Sequence, residues 1–254
     1  MTCTQMTTAK EILARGYFPR ELPPPFNTYA FATFAATNPA QGCFQGKHHQ
    51  STPMTHTVAR PDGRRRLLTV PNPASFLRIA SEVAANWAAL NTHCSQSPYS
   101  STTPAELAGI DRAIGFKFHR ADHDALRAER RTTARFALIA DIVSFYPSIY
   151  THSIPWALHG KAFAKANRGE LHLGNRLDKH VRNGQDGQTV GLPVGPDTSL
   201  VLGACRANRT RPTPALWLLQ NQSDSIAICV HQGRWRRTGS QSGRSCPWRT
   251  VWTS

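Results

Sequence analysis

The stretch ADIVSFYPSIYTHSIPWALHG, residues 140–160, places a single acid, Asp141, inside an apolar segment and follows it with aromatic residues and a proline. A buried carboxylate is costly unless it is paired or binds a cation. Asp141 is therefore either a solvated residue at the end of a strand or a ligand for a metal ion. The run RFALIADIVSF, which contains Asp141, is apolar on both faces of a pleat and predicts a central strand.

The composition favours a folded protein that binds a polyanion. The chain has 254 residues, of which 40% are hydrophobic, and a formal charge of +15. Eight arginines and one acid lie after residue 204, so the first 204 residues carry +8. Such a surplus is common in nucleic-acid-binding proteins. The polar N-terminus and the lack of a run of about 18 apolar residues predict a cytoplasmic protein without a membrane span.

A basic hairpin is predicted upstream of this stretch. Pro61-Asp62-Gly63 separates two β-prone runs, and the returning run contains Arg65 and Arg66. Arginine forms bidentate hydrogen bonds to phosphate oxygens, although a solvated basic strand is the alternative for either residue. Because successive strand residues face opposite sides, we expect only one of the two arginines to face a substrate.

Cap residues predict several helices. Thr8 and Glu11 have the spacing of a capping box. Three further helices are expected to begin near Thr103, at Ser153 and at Asp197.

The segment GQTVGLPVGPDTSLVLG, residues 187–203, is a glycine-rich loop that leads into the last of these helices. Gly191, Pro193 and Gly195 are predicted to form a loop whose backbone can approach a nucleotide or a template closely. The alternative is a plain turn before a helix.

Four stretches together resemble the prokaryotic reverse transcriptases of the abortive-infection and defence-associated group. They are GYFPRELPPPF (16–26), ARPDGRRRLLTVPNPASFLRIA (59–80), the Asp141 stretch extended to 161, and residues 187–203. Val194 stands where familiar reverse transcriptases often have glutamine, which favours the defence-associated group. The resemblance implies an RNA-directed DNA polymerase, a nucleotidyltransferase with a role in phage defence. It also implies an α+β fold, the fingers and partial palm of a right-hand polymerase, with an antiparallel sheet and helices.

The resemblance also assigns roles to individual residues. The carboxylate of Asp141 and the backbone carbonyl of Ile142 would bind Mg²⁺, which prefers hard oxygen ligands. Tyr146 would lie under the incoming sugar and select deoxynucleotides, and an ordinary core aromatic is the alternative. Arg65 and Arg66 would contact the triphosphate or the template backbone. The implied partners are an RNA template, a DNA primer or product, and a deoxynucleoside triphosphate.

The carboxylates of a second metal-binding motif are absent from the sequence. The only acid after Asp197 is Asp224, and the chain contains no Asp-Asp pair. One carboxylate cannot hold two cations, so we expect this chain to be catalytically incomplete. The remaining possibilities are a non-catalytic RNA-binding remnant and an unstable remnant without a function.

The sequence divides into three parts. The resemblance implies that residues 1–56 are an N-terminal extension and residues 57–204 the fingers and partial palm, and residues 205–254 are expected to be an aberrant, disordered tail. Four of the six tryptophans and three of the six cysteines lie in this tail. That composition suggests the hypothesis that the chain is truncated or that its reading frame shifts near Ala204, before an Asp-Asp motif.

Overall fold

The computed structural model describes residues 8–23, 25–38, 49–61, 63–96, 100, 102–109, 111–118, 120–132, 136–142, 144–208, 226–231 and 248–251. The helices in these ranges are α1 (Ala9–Arg15), α2 (Tyr29–Thr37), α3 (Pro73–Ala85), α4 (Trp87–Cys94), α5 (Arg120–Thr132), α6 (Phe145–Ser148), α7 (Ser153–His159), α8 (Lys161–Ala166), α9 (Leu173–Asn183) and α10 (Asp197–Asn208). The strands are β1 (Met54–Ala59), β2 (Arg65–Val70), β3 (Pro104–Glu106), β4 (Ile114–Phe116), β5 (Phe136–Ile142), β6 (Ile226–His231) and β7 (Trp248–Val251). No helix of the described ranges has both the length and the apolar character needed to cross a bilayer.

Local sequence rules explain the first elements. Helix α1 begins with the predicted capping box, in which the Thr8 hydroxyl accepts from the backbone N–H of Glu11 and the Glu11 carboxylate accepts from that of Thr8. Strands β1 and β2 form the predicted antiparallel hairpin, with Met54 opposite Val70. Gly63 closes the turn with φ +75°, a conformation that favours glycine.

The core lies between the helices and includes the N-terminal segment. The Tyr17 ring stacks on Phe76 of α3, with ring centroids 4.4 Å apart, and its hydroxyl donates to the Pro71 carbonyl. The same core contains residues from α1, α9 and α10: Ile12, Leu13, Leu177, Val181, Val201 and Leu202. The domain boundary expected at residue 56 therefore does not coincide with a break in the core.

The α+β class is confirmed, but the sheet around Asp141 is mixed rather than antiparallel. Strand β5 is the predicted strand and lies between β6, which is parallel to it, and β7, which is antiparallel. The β1–β2 and β3–β4 hairpins are antiparallel. Both neighbours of β5 come from the segment expected to be disordered. The run IAICVH, which forms β6, has the β-branched and apolar residues that favour a strand. Residues 209–225 and 232–247 of that segment lie outside the described residues.

One predicted helix start is wrong, and at a second the start is confirmed but the cap is wrong. Pro104–Glu106 forms strand β3 opposite β4, because the backbone of this segment pairs with residues 114–116 rather than with itself. Ser153 is the first residue of α7 and not its cap, since the N-cap is His152 and no side chain caps the helix. The helix expected to follow Ser153 is divided into α7 and α8 at Gly160, whose φ of +95° is outside the helical region.

The carboxylate of Asp197 joins three parts of the fold. It is 4% exposed, and its Oδ1 accepts from the Nε of Arg112 at 2.7 Å. Its Oδ2 accepts from the backbone N–H groups of Ala113 and Ile114 at 3.2 and 3.0 Å. Its own backbone N–H donates to the Gly16 carbonyl at 2.8 Å. Asp197 thus connects the end of α1, the β3–β4 hairpin and the start of α10.

The Arg112–Asp197 pair predicts a large loss of stability when one partner is removed. Arg112→Met should lower the free energy of unfolding by about 3–5 kcal/mol, because it leaves a buried carboxylate without its cation. The matched control is Lys179→Met, which breaks the exposed pair with Glu170 and should change stability little. Urea titration followed by circular dichroism measures both, and equal effects would contradict the role given to Asp197.

Candidate functional site

The motif after Asp141 and the glycine-rich loop are joined by backbone hydrogen bonds. The N–H of Leu192 donates to the Tyr146 carbonyl at 2.9 Å, and the N–H of Gly191 donates to the Ile149 carbonyl at 2.7 Å. An isolated antiparallel bridge between Tyr150 and Val190 continues this pairing. We call residues 146–151 and 189–192 the loop ladder.

Two further contacts bring the other quoted stretches to the same place. The N–H of Thr69 in β2 donates to the Val194 carbonyl at 2.9 Å. An added Cβ at Gly195 would lie 2.5 Å from Cγ of Pro19. All four stretches that resemble a reverse transcriptase therefore meet around residues 189–197.

The two predicted arginines lie on opposite faces of β2, as the strand geometry requires. Arg66 shares its face with the buried Leu68 and forms an ion pair with Glu21 at 2.8 Å. Arg65 lies on the other face, where its Nε donates to the Thr57 hydroxyl at 2.8 Å. The Arg66 side chain is 42% exposed, so it is accessible to a ligand beside the loop.

Tyr146 packs against α10 and lies within electrostatic range of Arg66. An added Cβ at Gly203 would lie 3.0 Å from a ring atom of Tyr146 and 3.1 Å from one of Phe145, so Gly203 makes room for both rings. Burial raises the pKa of Tyr146 to about 12, with opposing smaller effects of Arg66, which lowers it, and Asp197, which raises it. The phenol is therefore protonated at neutral pH, and the ring is a partly buried packing residue beside the loop.

The glycines of the loop make room for the chain itself. At Gly195 the space is filled by Pro19, and the Gly195 carbonyl accepts from Arg112 at 2.8 Å. Gly191 faces Pro147, whose carbonyl oxygen would lie 3.6 Å from an added Cβ, and Pro193 is buried. At Gly195 intramolecular packing therefore uses the space expected for a nucleotide, whereas the contact at Gly191 is an ordinary van der Waals distance and the expectation for that residue stays a prediction.

Asp141 lies next to the end of β5, and Ile142 ends the strand as a half-buried residue. The orientation of the Asp141 carboxylate is outside the described side chains. After the strand the backbone turns sharply into α6 through Ser144, whose φ of +53° is unusual for a residue with a side chain. The turn at Ser144 leads into α6, which begins with the two aromatic residues of the motif, Phe145 and Tyr146.

The register partners of Asp141 are not acids. They are His231 in β6 and Arg249 in β7, whereas two magnesium ions need further carboxylate oxygens as ligands. Among the residues whose side chains the structure describes, no group of three or more His, Cys, Asp or Glu could hold a metal.

The sequence patterns did not predict a second polar network, between α7 and α9. Asp178 is 5% exposed, and its Oδ2 lies 2.7 Å from Nδ1 of His152 and 3.2 Å from Nε of Arg182. The i,i+4 spacing of Asp178 and Arg182 was the one indication in the sequence. The Asp197–Arg112 pair was also missed, because 84 residues separate the two along the chain.

Comparison with known proteins does not assign the chain to a family. No model of a known protein family matches the chain, and no curated protein is significantly similar to it. A function is therefore proposed from the quoted motifs and their geometry.

The close packing at Gly195 predicts a specific sensitivity. Gly195→Ala should destabilise the fold by more than the roughly 1–3 kcal/mol of backbone strain, because the new methyl group also meets Pro19. Gly63→Ala is the matched control, since Gly63 also has a positive φ but nothing lies within 4 Å of its added Cβ. Equal losses in urea-induced unfolding would show that Pro19 does not limit the space at Gly195.

Proposed function

We propose that this chain is the fingers and partial palm of a reverse-transcriptase-like protein that binds RNA but does not polymerise DNA. The main support is the convergence of the four quoted stretches, in which Thr69 of the basic hairpin donates to Val194 of the glycine-rich loop. Arg66 lies three residues before Thr69 in the same strand, and its charge acts on Tyr146, which supports a polyanion site near the loop.

Arg66 is suited to exchange its partner for a phosphate. Its ion pair with Glu21 joins side chains that are 42% and 30% exposed. Exposed pairs contribute little to stability, about 0–1 kcal/mol, so a phosphate can replace the carboxylate at low cost. A guanidinium also binds two phosphate oxygens at once, which a lysine cannot do. The +8 charge of the first 204 residues attracts RNA to this surface.

The lack of polymerisation follows from the ligand set. Two-metal phosphoryl transfer needs carboxylates that hold both ions, and the sequence supplies Asp141 without an Asp-Asp partner. The family resemblance implies Mg²⁺ for an intact enzyme, but the proposal for this chain does not include it. The same resemblance implies a role in phage defence, and we include that role in the proposed function.

Primer extension tests the catalytic part of the proposal. The purified chain, supplied with Mg²⁺, deoxynucleoside triphosphates, an RNA template and a DNA primer, should extend no primer above background. Asp141→Ala should keep the wild-type RNA affinity, because the carboxylate makes no contribution to phosphate binding. Incorporation that depends on Asp141 would show that the chain is a polymerase after all.

RNA binding tests the other part. Fluorescence anisotropy with a labelled single-stranded RNA should show an affinity that falls as salt rises. Arg66→Gln should weaken binding several-fold and reduce the slope of log K against log salt by about 0.7, the change expected for one phosphate contact. Arg65→Gln is the matched control, since Arg65 points to the opposite face and bonds Thr57. Equal effects of the two substitutions would remove Arg66 from the proposed site.

A further inference from the structure

An exposed group of rings lies at the end of the loop ladder. Tyr150 is 40% exposed, and its ring meets His152 edge-on at 4.9 Å and Trp156 at 5.6 Å between centroids. We call these three residues the aromatic cluster. An exposed tyrosine is ordinary by itself, but one that packs against two neighbouring rings is a fixed aromatic surface on which a base can stack.

A lysine lies beside the aromatic cluster. Nζ of Lys161 lies 5.1 Å from the centroid of the Trp156 ring. Arg182 is paired with the buried carboxylate of Asp178, which also contacts His152, so the charges of Arg182 and Asp178 largely cancel. An anionic ligand therefore meets the positive charge of Lys161 beside an exposed ring.

The loop ladder connects this cluster with Arg66. Tyr150 pairs with Val190, and Val194 accepts from Thr69 in the strand that contains Arg66. Four residues of chain from 190 to 194 span at most about 14 Å. The three residues from Thr69 to Arg66 along β2 add at most about 11 Å. A single strand of several nucleotides is therefore long enough to contact both places.

We propose that the aromatic cluster is a stacking platform for the bases of single-stranded RNA, with Tyr150 as its exposed ring. The inference rests on the proposed function, since it names the form of RNA and a second place where it binds. Every base has a π-face, so stacking on an aromatic ring tolerates any sequence, and nearby cations hold the backbone. Paired bases in a duplex have no free face to offer, so the platform distinguishes single strands from duplexes.

Substitution of Tyr150 tests the platform. Tyr150→Ala should lower the affinity for labelled oligouridylate by about 10-fold, the loss typical of one stacked base, and leave the salt dependence unchanged. Tyr150→Phe should bind as the wild type does, because the ring is kept. Tyr150→Val should behave as Tyr150→Ala, and its β-branched side chain suits the pairing with Val190, so it separates lost stacking from lost folding.

The control is Phe116→Ala, which removes a ring of similar exposure, 41%, from strand β4 and should leave the affinity unchanged. If the folded Tyr150→Ala and Tyr150→Val proteins bind oligouridylate like the wild type, or lose the same factor for duplex RNA, the platform is wrong while the proposed function stands. If the wild-type chain binds no RNA at all, the proposed function fails as well.

Discussion

The arrangement of the whole helical core depends on one buried carboxylate. Asp197 accepts hydrogen bonds from Arg112 and from two backbone N–H groups of the β3–β4 hairpin. Burial raises the pKa of this carboxyl above its ordinary value, and the Arg112 guanidinium and the N–H groups oppose that shift. The same Arg112 side chain donates to the carbonyls of Phe18 and Gly195, so a single guanidinium joins the segment after α1 to the loop that leads into α10.

This centre explains the residues around it. An added Cβ at Gly16 would lie 2.6 Å from Oδ2 of Asp197, so only glycine fits where α1 ends. Pro19 fills the space at Gly195, and the loop then reaches the Tyr146 carbonyl through Leu192. Gly195, one of the two glycines that suggest a nucleotide-binding loop in the sequence, thus has a structural role in packing against Pro19.

The parts of the fold that the sequence predicts are those set by neighbouring residues. The Thr8–Glu11 capping box and the Gly63 turn are confirmed, because both depend on contacts a few positions apart. Thr103 and Glu106 have the same capping spacing but lie in a hairpin, since pairing with residues 114–116 outweighs a local cap. The helix start predicted at Asp197 is confirmed, whereas the Arg112 partner of its carboxylate was not predicted because it lies far away in sequence. No sequence pattern predicts that Tyr150 is exposed, because its exposure depends on how α7 packs against the glycine-rich loop.

The long-range hydrogen bonds of Arg112 affect how the chain folds. Its acceptors are separated from it by 83 to 94 residues, so the centre cannot form from any one local segment. Contacts of such long range require large loops to close before any stabilisation is gained, which slows folding. We therefore expect the hairpin and single helices to form early and transiently, and the native state to appear only when both ends of the core dock together in a late, cooperative step.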